Sequence, residues 1–214
     1  NGGAAYATGG ADNVPLRGGK GETWEGGIRV VSLLRWPQVL PGGGEMQQIM
    51  SAMDVFPTLA EAAGVAPGNR QFELDGRSLW PAISRGQRQP REDLLFFASE
   101  TPIRGSFMFT AFNDHWKLVQ EVEQGLLSAT VSNHLFRIDQ DPNEYNNLAS
   151  EYPHIVEKLA GEIHYWRTLH PVAARARSWC RPPVGGPPGT GPPIRAPSRK
   201  HMTLRRRECH RRTR

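Results

Sequence analysis

Residues 107–122 read FMFTAFNDHWKLVQEV, two largely apolar runs separated by the polar pair Asn113-Asp114. The first run is aromatic and alternates, which is typical of a β-strand, and Asn and Asp favour turns because their side chains bond the nearby backbone. The stretch therefore predicts antiparallel strands over 107–112 and 116–122, joined by a turn. A third strand, predicted over 135–138, extends this meander.

A helix is predicted after the strands, over 153–169. Its apolar stripe consists of residues at helical spacing, Ile155, Leu159, Ile163 and Trp166. Such a helix buries its stripe by lying on one face of a sheet. The sequence thus predicts a small subdomain of antiparallel sheet and helix.

The residues before the meander predict further elements. Residues 28–36, IRVVSLLRW, are rich in β-branched and apolar side chains and predict a buried strand. A helix is predicted over 52–63, with Asp54 as its cap. A helical turn over 79–83 and a strand over 94–98 follow.

Charge is unevenly distributed along the 214 residues, whose net charge is +5. Residues 175–214 carry eleven Arg, one Lys and one Glu, whereas residues 1–174 carry twenty acidic and fourteen basic side chains. The basic excess is therefore not a nucleic-acid signal for the body of the protein. We predict a disordered Pro/Arg-rich tail over 173–214. This tail could bind polyanions, be an ordinary extension, or be a reading-frame artefact, and we favour the last two.

Composition excludes several classes of protein. No apolar run approaches the ~20 residues that span a membrane. Two cysteines exclude a disulfide-rich scaffold and a four-cysteine zinc site. The sequence opens on Asn1 and shows no signal peptide, so we expect a fragment or a processed chain.

Two candidate site residues stand out near the start. Lys20 is flanked by glycines, and an ammonium together with the surrounding backbone amides can donate to a tetrahedral oxyanion. The P-loop spacing is absent, so a solvated turn lysine is the alternative that the residues alone favour. Asn1 precedes two glycines, which indicates a turn, but its carbonyl oxygen also suits a hard cation such as Ca²⁺.

Taken together, the motifs resemble those of type I sulfatases. Asn1-Gly-Gly, Leu16-Arg17-Gly18-x-Lys20 and Glu25-Gly26-Gly27-x-Arg29 are similar, in order, to that family's Asp-Asn-Gly, Leu-Arg-Gly-x-Lys and Glu-Gly-Gly-x-Arg. Similar segments follow in order at 35–37, 53–59, 74–79, 135–142 and 152–154. The likeness covers about residues 1–172, and its ending most resembles the arylsulfatase B (N-acetylgalactosamine 4-sulfatase) group.

The resemblance implies an α/β fold, the C-terminal part of an alkaline-phosphatase-like sulfatase. Residues 1–100 would be the truncated end of the catalytic α/β domain, and residues 101–172 the small subdomain. The implied activity is cleavage of sulfate esters, of sulfated sugars or small molecules, by a formylglycine nucleophile and Ca²⁺. The family suggests a secreted, periplasmic or lysosomal location. The oligomeric state is open.

The resemblance also implies roles for particular residues. Asn1 would be a calcium ligand and Lys20 would contact the sulfate. A scaffold role is implied for the other motif residues, Arg17, Trp24, Glu25 and Arg29.

The nucleophile motif [CS]-x-P-x-R is missing from this sequence, since neither Cys180 nor Cys209 fits it. We therefore predict an incomplete calcium site and no turnover by this chain alone. Two alternatives stay open. One is a phosphodiesterase of the same superfamily, and the other is a non-catalytic remnant that binds anions or glycans.

Overall fold

The computed structural model describes residues 2–4, 10–65, 73–103, 106–124 and 128–169, apart from the side chains of 100–103 and 124. These residues belong to one compact unit, Asn1–Pro171. The elements, in chain order, are α1 (Glu25–Ile28), α2 (Ala52–Ala62), α3 (Trp80–Arg85), β1 (Leu95–Ile103), β2 (Ser106–Phe112), β3 (Trp116–Gln124), β4 (Ala129–Arg137) and α4 (Pro153–Thr168). The predicted tail and both cysteines lie outside the described residues. The divisions predicted at 100/101 and 172/173 stay predictions.

The meander is confirmed and is longer than predicted. Its four strands lie in the order β1-β2-β3-β4, and each pair of neighbours is antiparallel. The strand predicted over 94–98 is β1 of this sheet, and the one predicted over 135–138 is the end of β4. At the predicted turn, the Asn113 side-chain oxygen accepts the N–H groups of His115 and Trp116 at 3.0 and 2.9 Å. This local bonding is why the chain reverses there.

The predicted helix is confirmed as α4, and it covers the first face of the sheet. Its buried residues Leu159 and Ile163 join a core whose sheet members are Phe109, Ala111, Leu118 and Leu135. These side chains share one face because alternate residues of a strand point the same way.

The opposite face of the sheet is covered by the segment that contains α1. Trp24 is 4% exposed and packs with Met108, Val119 and Phe136 in a second buried cluster. This face also carries two buried polar side chains, Thr110 and Lys117. The sheet therefore has an apolar face under α4 and a mixed face under residues 22–25.

The strand predicted over 28–36 is wrong for this chain. Residues 25–28 form α1 instead, and residues 29–36 make no strand pairing. Val31 is 86% exposed and Leu33 is 92% exposed. A buried strand needs neighbours on its edges and faces. The described part of the chain offers residues 29–36 no strand to pair with, and it leaves Val31 and Leu33 uncovered.

The helix predicted over 52–63 is confirmed as α2, but its cap and its orientation differ from expectation. Ser51 is the N-cap, and Asp54 completes a capping box by accepting the Ser51 N–H at 2.7 Å. Asp54 and Thr58 face the interior. Four large apolar residues of the helix are 43–58% exposed: Met53, Val55, Phe56 and Leu59. The polar side of α2 is thus the buried one.

Introducing charge into residues 30–36, a segment whose large apolar side chains are exposed, should reduce self-association of the chain. A contiguous apolar surface of this kind favours association in water. We expect Val31→Asp/Leu33→Asp to lower the weight-average mass in sedimentation velocity at fixed concentration. Val14→Asp is the control, because Val14 is 83% exposed but lies outside the segment. An unchanged mass in the double variant would contradict the expectation.

The helical turn predicted over 79–83 is confirmed as α3. Among the described residues, we find no helix with the length and apolar character needed to cross a bilayer.

Candidate functional site

Lys20 lies in a glycine-rich turn and its side chain is exposed. Gly18 and Gly21 have φ values of 75° and 96°, a region that residues with a Cβ rarely adopt, so glycine permits the tight path. Within the part of the chain that the structure describes, the Lys20 ammonium has no hydrogen-bond or ion-pair partner. Residues 15–21, called the Lys20 loop below, expose two cationic residues, Lys20 and Arg17.

The backbone amides around Lys20 correct part of the sequence interpretation. The Gly19 N–H donates to the Glu22 carboxylate at 2.9 Å. The Lys20 N–H donates to the Gly3 carbonyl at 3.0 Å. Both amides are used inside the chain and are not donors for an anion. The Gly19 and Lys20 amides are therefore not available to bind an anion, whereas the Lys20 ammonium is exposed.

The loop is held against α1 by close backbone packing. The Gly26 N–H donates to the Arg17 carbonyl at 2.7 Å. A Cβ on Gly26 would lie 2.4 Å from the Gly18 oxygen, and one on Gly27 would lie 2.5 Å from the Gly19 oxygen. Such separations are well inside van der Waals contact. The Gly26-Gly27 pair is what allows α1 to lie on the Lys20 loop.

The Asn-Gly-Gly motif reaches the same place. The Gly2 N–H donates to the Gly27 carbonyl at 2.6 Å. The Gly3 carbonyl accepts the Asn13 side-chain amide at 2.9 Å as well as the amide from the loop. The structure thus brings the second and third residues of the motif beside the Lys20 loop. Asn1 itself lies outside the described residues, and its calcium role stays a prediction.

Residues 23–25 attach this assembly to the second face of the sheet. The Thr110 hydroxyl donates to the Thr23 hydroxyl at 2.9 Å. The Lys117 ammonium is fully buried, 2.7 Å from one Glu25 carboxylate oxygen and 2.8 Å from one Glu144 oxygen. The other Glu144 oxygen accepts the Glu25 N–H at 2.8 Å. We call Glu25, Lys117 and Glu144 the buried charge triad.

Burial is the strongest electrostatic influence on the Glu144 carboxyl. Burial raises the pKa of the Glu144 carboxyl, and the neighbouring Lys117 charge opposes that rise. One ammonium faces two carboxylates in a site from which water is excluded. Removal of Lys117 would leave uncompensated buried charge, which is strongly destabilising.

Sequence reasoning placed Glu25 in the scaffold but missed Lys117 and Glu144. Lys117 could have been found from its position in the sequence. It lies two residues before Val119 on β3, so the two side chains point to the same, buried face of the sheet. Glu144 gave no signal, because it lies in the turn region after β4 and its partners are distant in sequence.

A small cavity lies between the Lys20 loop and the sheet. Arg17, Glu22 and Trp24 line it from the loop side, and Ser106 and Glu121 line it from the sheet. The Arg17 guanidinium carbon lies 3.6 Å from the Trp24 ring centroid, a stacked cation–π contact. The volume of about 170 Å³ is below the roughly 300 Å³ at which ligand pockets begin, so we do not assign the cavity as a substrate site.

The described residues contain no cluster of acidic, histidine or cysteine side chains of the kind that holds a metal ion. Among them, no three His, Cys, Asp or Glu side chains are arranged to hold a metal ion. The acidic turn after β4 uses its own carboxylates: Asp139 pairs with Arg137 at 2.8 Å, and Asp141 accepts the Asn146 N–H at 2.8 Å. Calcium takes six to eight oxygens, so one Asn1 oxygen would leave most of its ligands unsupplied.

The pairing of Asp139 predicts an acid-range dependence of stability. Its hydrogen bond with Arg137, and a weaker contribution from His115, lower the pKa of Asp139 to about 2 from an ordinary value of 3.8. Because the folded pKa is depressed, this contribution is present above about pH 4 and is lost as the pH falls through about 2. We expect a carboxyl-carbon NMR titration to give a midpoint near 2 for Asp139, rising in Arg137→Met. A midpoint near 3.8 in the unmodified chain would contradict the pairing.

The comparisons with known proteins agree on one family. Residues 20–168 match the family model described as N-sulphoglucosamine sulphohydrolase, C-terminal. Mouse (Mus musculus) arylsulfatase J is 32% identical over 202 residues, which cover 77% of this chain and 34% of that protein. Human (Homo sapiens) arylsulfatase A is 31% identical over 163 residues, which cover 67% of this chain and 31% of that protein. The match thus spans about a third of the length of these relatives.

The fold of the chain also resembles that of a solved structure. A solved structure described as concerning the metabolism of multiple glycosaminoglycans by Bacteroides thetaiotaomicron superposes with a TM-score of 0.54. It is 20% identical and the match covers 72% of this chain and 32% of that one, so the likeness is one of fold. The antiparallel sheet with α4 is therefore the C-terminal part of a sulfatase fold. The family match extends over most of the described residues and includes Lys20, α1 and the whole sheet, and by this match the chain belongs to the sulfatase family.

Proposed function

We propose that this chain contributes a sulfate-contacting lysine, Lys20, to a sulfuric ester hydrolase. The observation that carries the proposal is the exposed ammonium on the braced Lys20 loop, within the region that matches the sulfatase family. An ammonium can donate to sulfate oxygens. If it lies near the leaving oxygen, it also offsets the negative charge that develops as the ester bond breaks.

The finer assignment rests on the sequence resemblance. We propose sulfated sugars as the substrates and a relationship to the arylsulfatase B group, supported by the motifs at 135–142 and 152–154. A secreted, periplasmic or lysosomal location is proposed on the same ground.

The nucleophile and the metal are proposed to come from outside this sequence. No [CS]-x-P-x-R motif occurs in the 214 residues, so a formylglycine must be made elsewhere in the polypeptide. When bound, Ca²⁺ would neutralise charge on the sulfate, and Asn1 would supply one oxygen ligand. This chain by itself is therefore proposed to have no sulfatase turnover.

A second candidate function is non-catalytic anion binding. It is favoured by the combination of an exposed Lys20 cation with the missing nucleophile motif. A phosphodiesterase of the same superfamily is a further alternative. A [CS]-x-P-x-R motif elsewhere in the polypeptide would argue against both.

Sulfate titration of the ¹⁵N-labelled chain tests the role of Lys20. We expect sulfate to shift the amide signals of the Lys20 loop and Lys20→Met to weaken binding about tenfold, since a charged hydrogen bond contributes about 1.5 kcal/mol. Lys158→Met is the matched control, because Lys158 is exposed on α4. The chain should not hydrolyse 4-methylumbelliferyl sulfate. Equal sulfate binding by the parent chain and Lys20→Met would contradict the proposal.

A further inference from the structure

We propose that Lys117 and Glu144 are positioning residues for Lys20. With Glu25 they form a clamp that fixes the Lys20 loop to the small sheet in one orientation. The proposal rests on the proposed function where it concerns sulfate, since it makes the small sheet part of the apparatus that places the sulfate contact. The clamp itself rests on contacts among described residues.

The first step of the path runs from the sheet to α1. Lys117 stands on β3 with its ammonium fully buried, 2.7 Å from a Glu25 carboxylate oxygen. Glu25 is the first residue of α1, next to Gly26. The Gly26 N–H then donates to the Arg17 carbonyl of the Lys20 loop at 2.7 Å. One ion pair and one backbone hydrogen bond therefore connect β3 with the loop.

Glu144 supplies a second point of attachment. One of its carboxylate oxygens lies 2.8 Å from the Lys117 ammonium, and the other accepts the Glu25 N–H at 2.8 Å. Glu25 is consequently held at its side chain and at its backbone. Two directional contacts on one residue fix the orientation of the first turn of α1, which a single contact would leave free to rotate.

The backbone at Glu144 indicates that its carboxylate determines the arrangement. Glu144 has a φ of 60°, where residues with a Cβ are strained, and it is 2% exposed. Glycine would suit this backbone better. The strained conformation is what delivers both carboxylate oxygens into the triad.

Apolar packing alone does not account for this geometry. Trp24, which is 4% exposed, already holds the segment near the sheet through the second cluster. Burial of a ring is not directional and tolerates small rotations. The triad fixes the orientation of α1. Because Gly26 and Gly27 pack on carbonyls of the Lys20 loop, the orientation of α1 also fixes that of Lys20.

Amide exchange in the ¹⁵N-labelled full chain tests the clamp. Glu144→Gly relieves the backbone strain but removes the carboxylate, and Lys117→Met removes the charge. In both we expect exchange of the Lys20 and Gly26 amides to accelerate at least about tenfold more than exchange of the α4 amides, whose acceleration reports any general loss of stability. The sulfate dissociation constant should rise in parallel.

Two further variants keep the test decisive. Arg91→Met is the matched control, because Arg91 is also a buried cation, at 1% exposure, but it pairs with Asp54 away from the loop. Arg91→Met should accelerate amide exchange to a similar degree in the Lys20 loop and in α4. Glu144→Gln keeps an acceptor for the Glu25 N–H, so it should fold and give an intermediate effect even if Lys117→Met does not.

The outcomes separate the clamp from the proposed function. Loop exchange that is unchanged in Glu144→Gly, or that rises equally in the loop and in α4, would overturn the clamp. If the parent chain shows no Lys20-dependent sulfate binding, the proposed function fails, and loop exchange still decides whether the clamp exists. Faster loop exchange with unchanged sulfate affinity would overturn Lys117 and Glu144 as positioning residues for Lys20.

Discussion

Asp54→Ala should lower the free energy of unfolding by about 3–5 kcal/mol, the cost of breaking a buried ion pair by removing one partner. Asp54 is fully buried and pairs with the equally buried Arg91. It also accepts the Arg77 N–H at 3.0 Å and the Ser51 N–H at 2.7 Å. Its loss would leave a buried guanidinium short of a partner and remove one of the two contacts of the α2 capping box. Urea denaturation followed by tryptophan fluorescence measures the change.

Asp93→Ala is the matched control for this prediction. Asp93 contacts the same Arg91 guanidinium at 2.8 Å, but its side chain is 54% exposed. Asp93→Ala should therefore cost less than Asp54→Ala, because water competes for the exposed Asp93 carboxylate, whereas it does not reach Asp54. Equal losses in the two variants would show that burial of the Asp54 pair is not what matters.

Gly27→Ala should disrupt the packing of α1 on the Lys20 loop. The new Cβ would lie 2.2 Å from the Glu22 carbonyl oxygen and 2.5 Å from the Gly19 oxygen. Both are backbone atoms, so the loop itself must move. We expect a stability loss of about 3 kcal/mol, at the upper end for overpacking, and loss of sulfate-induced shifts at Lys20.

Gly161→Ala provides the comparison for Gly27→Ala. Gly161 lies within α4, and a Cβ there would meet nothing within 4 Å. Alanine at an open helical position should stabilise by roughly 0.5–1 kcal/mol. A Gly27→Ala variant with parental stability and parental sulfate response would contradict the close packing of α1 on the loop.

The elements that the sequence predicts well are those specified by local pattern. Strand alternation in 107–122, the Asn113 turn and the apolar stripe of α4 depend on neighbours a few residues away. The 28–36 prediction failed for the opposite reason. Its apolar content indicates burial, but burial depends on a partner surface, which the described part of the chain does not provide for Val31 and Leu33. The same applies to α2, whose apolar side faces outward.

In the candidate site, too, the sequence predicts the local motif but not the long-range contacts. Lys20 and the glycines around it can be picked out from the sequence because they form a compact motif. The contacts that brace them cannot, because Lys117 and Glu144 lie 92 and 119 residues from Glu25. Such pairings are set by the sheet register and by the path of the chain over its second face. Local propensity carries no information about either.

We propose that this chain is the C-terminal part of a sulfatase and that Lys20 contacts the sulfate. Sequencing the transcript upstream of the Asn1 codon and through the tail tests that claim most directly. We expect an Asp codon directly before Asn1 and, further upstream in the same frame, a [CS]-x-P-x-R motif. A stop codon shortly before Asn1, or a long open frame without that motif, would contradict it.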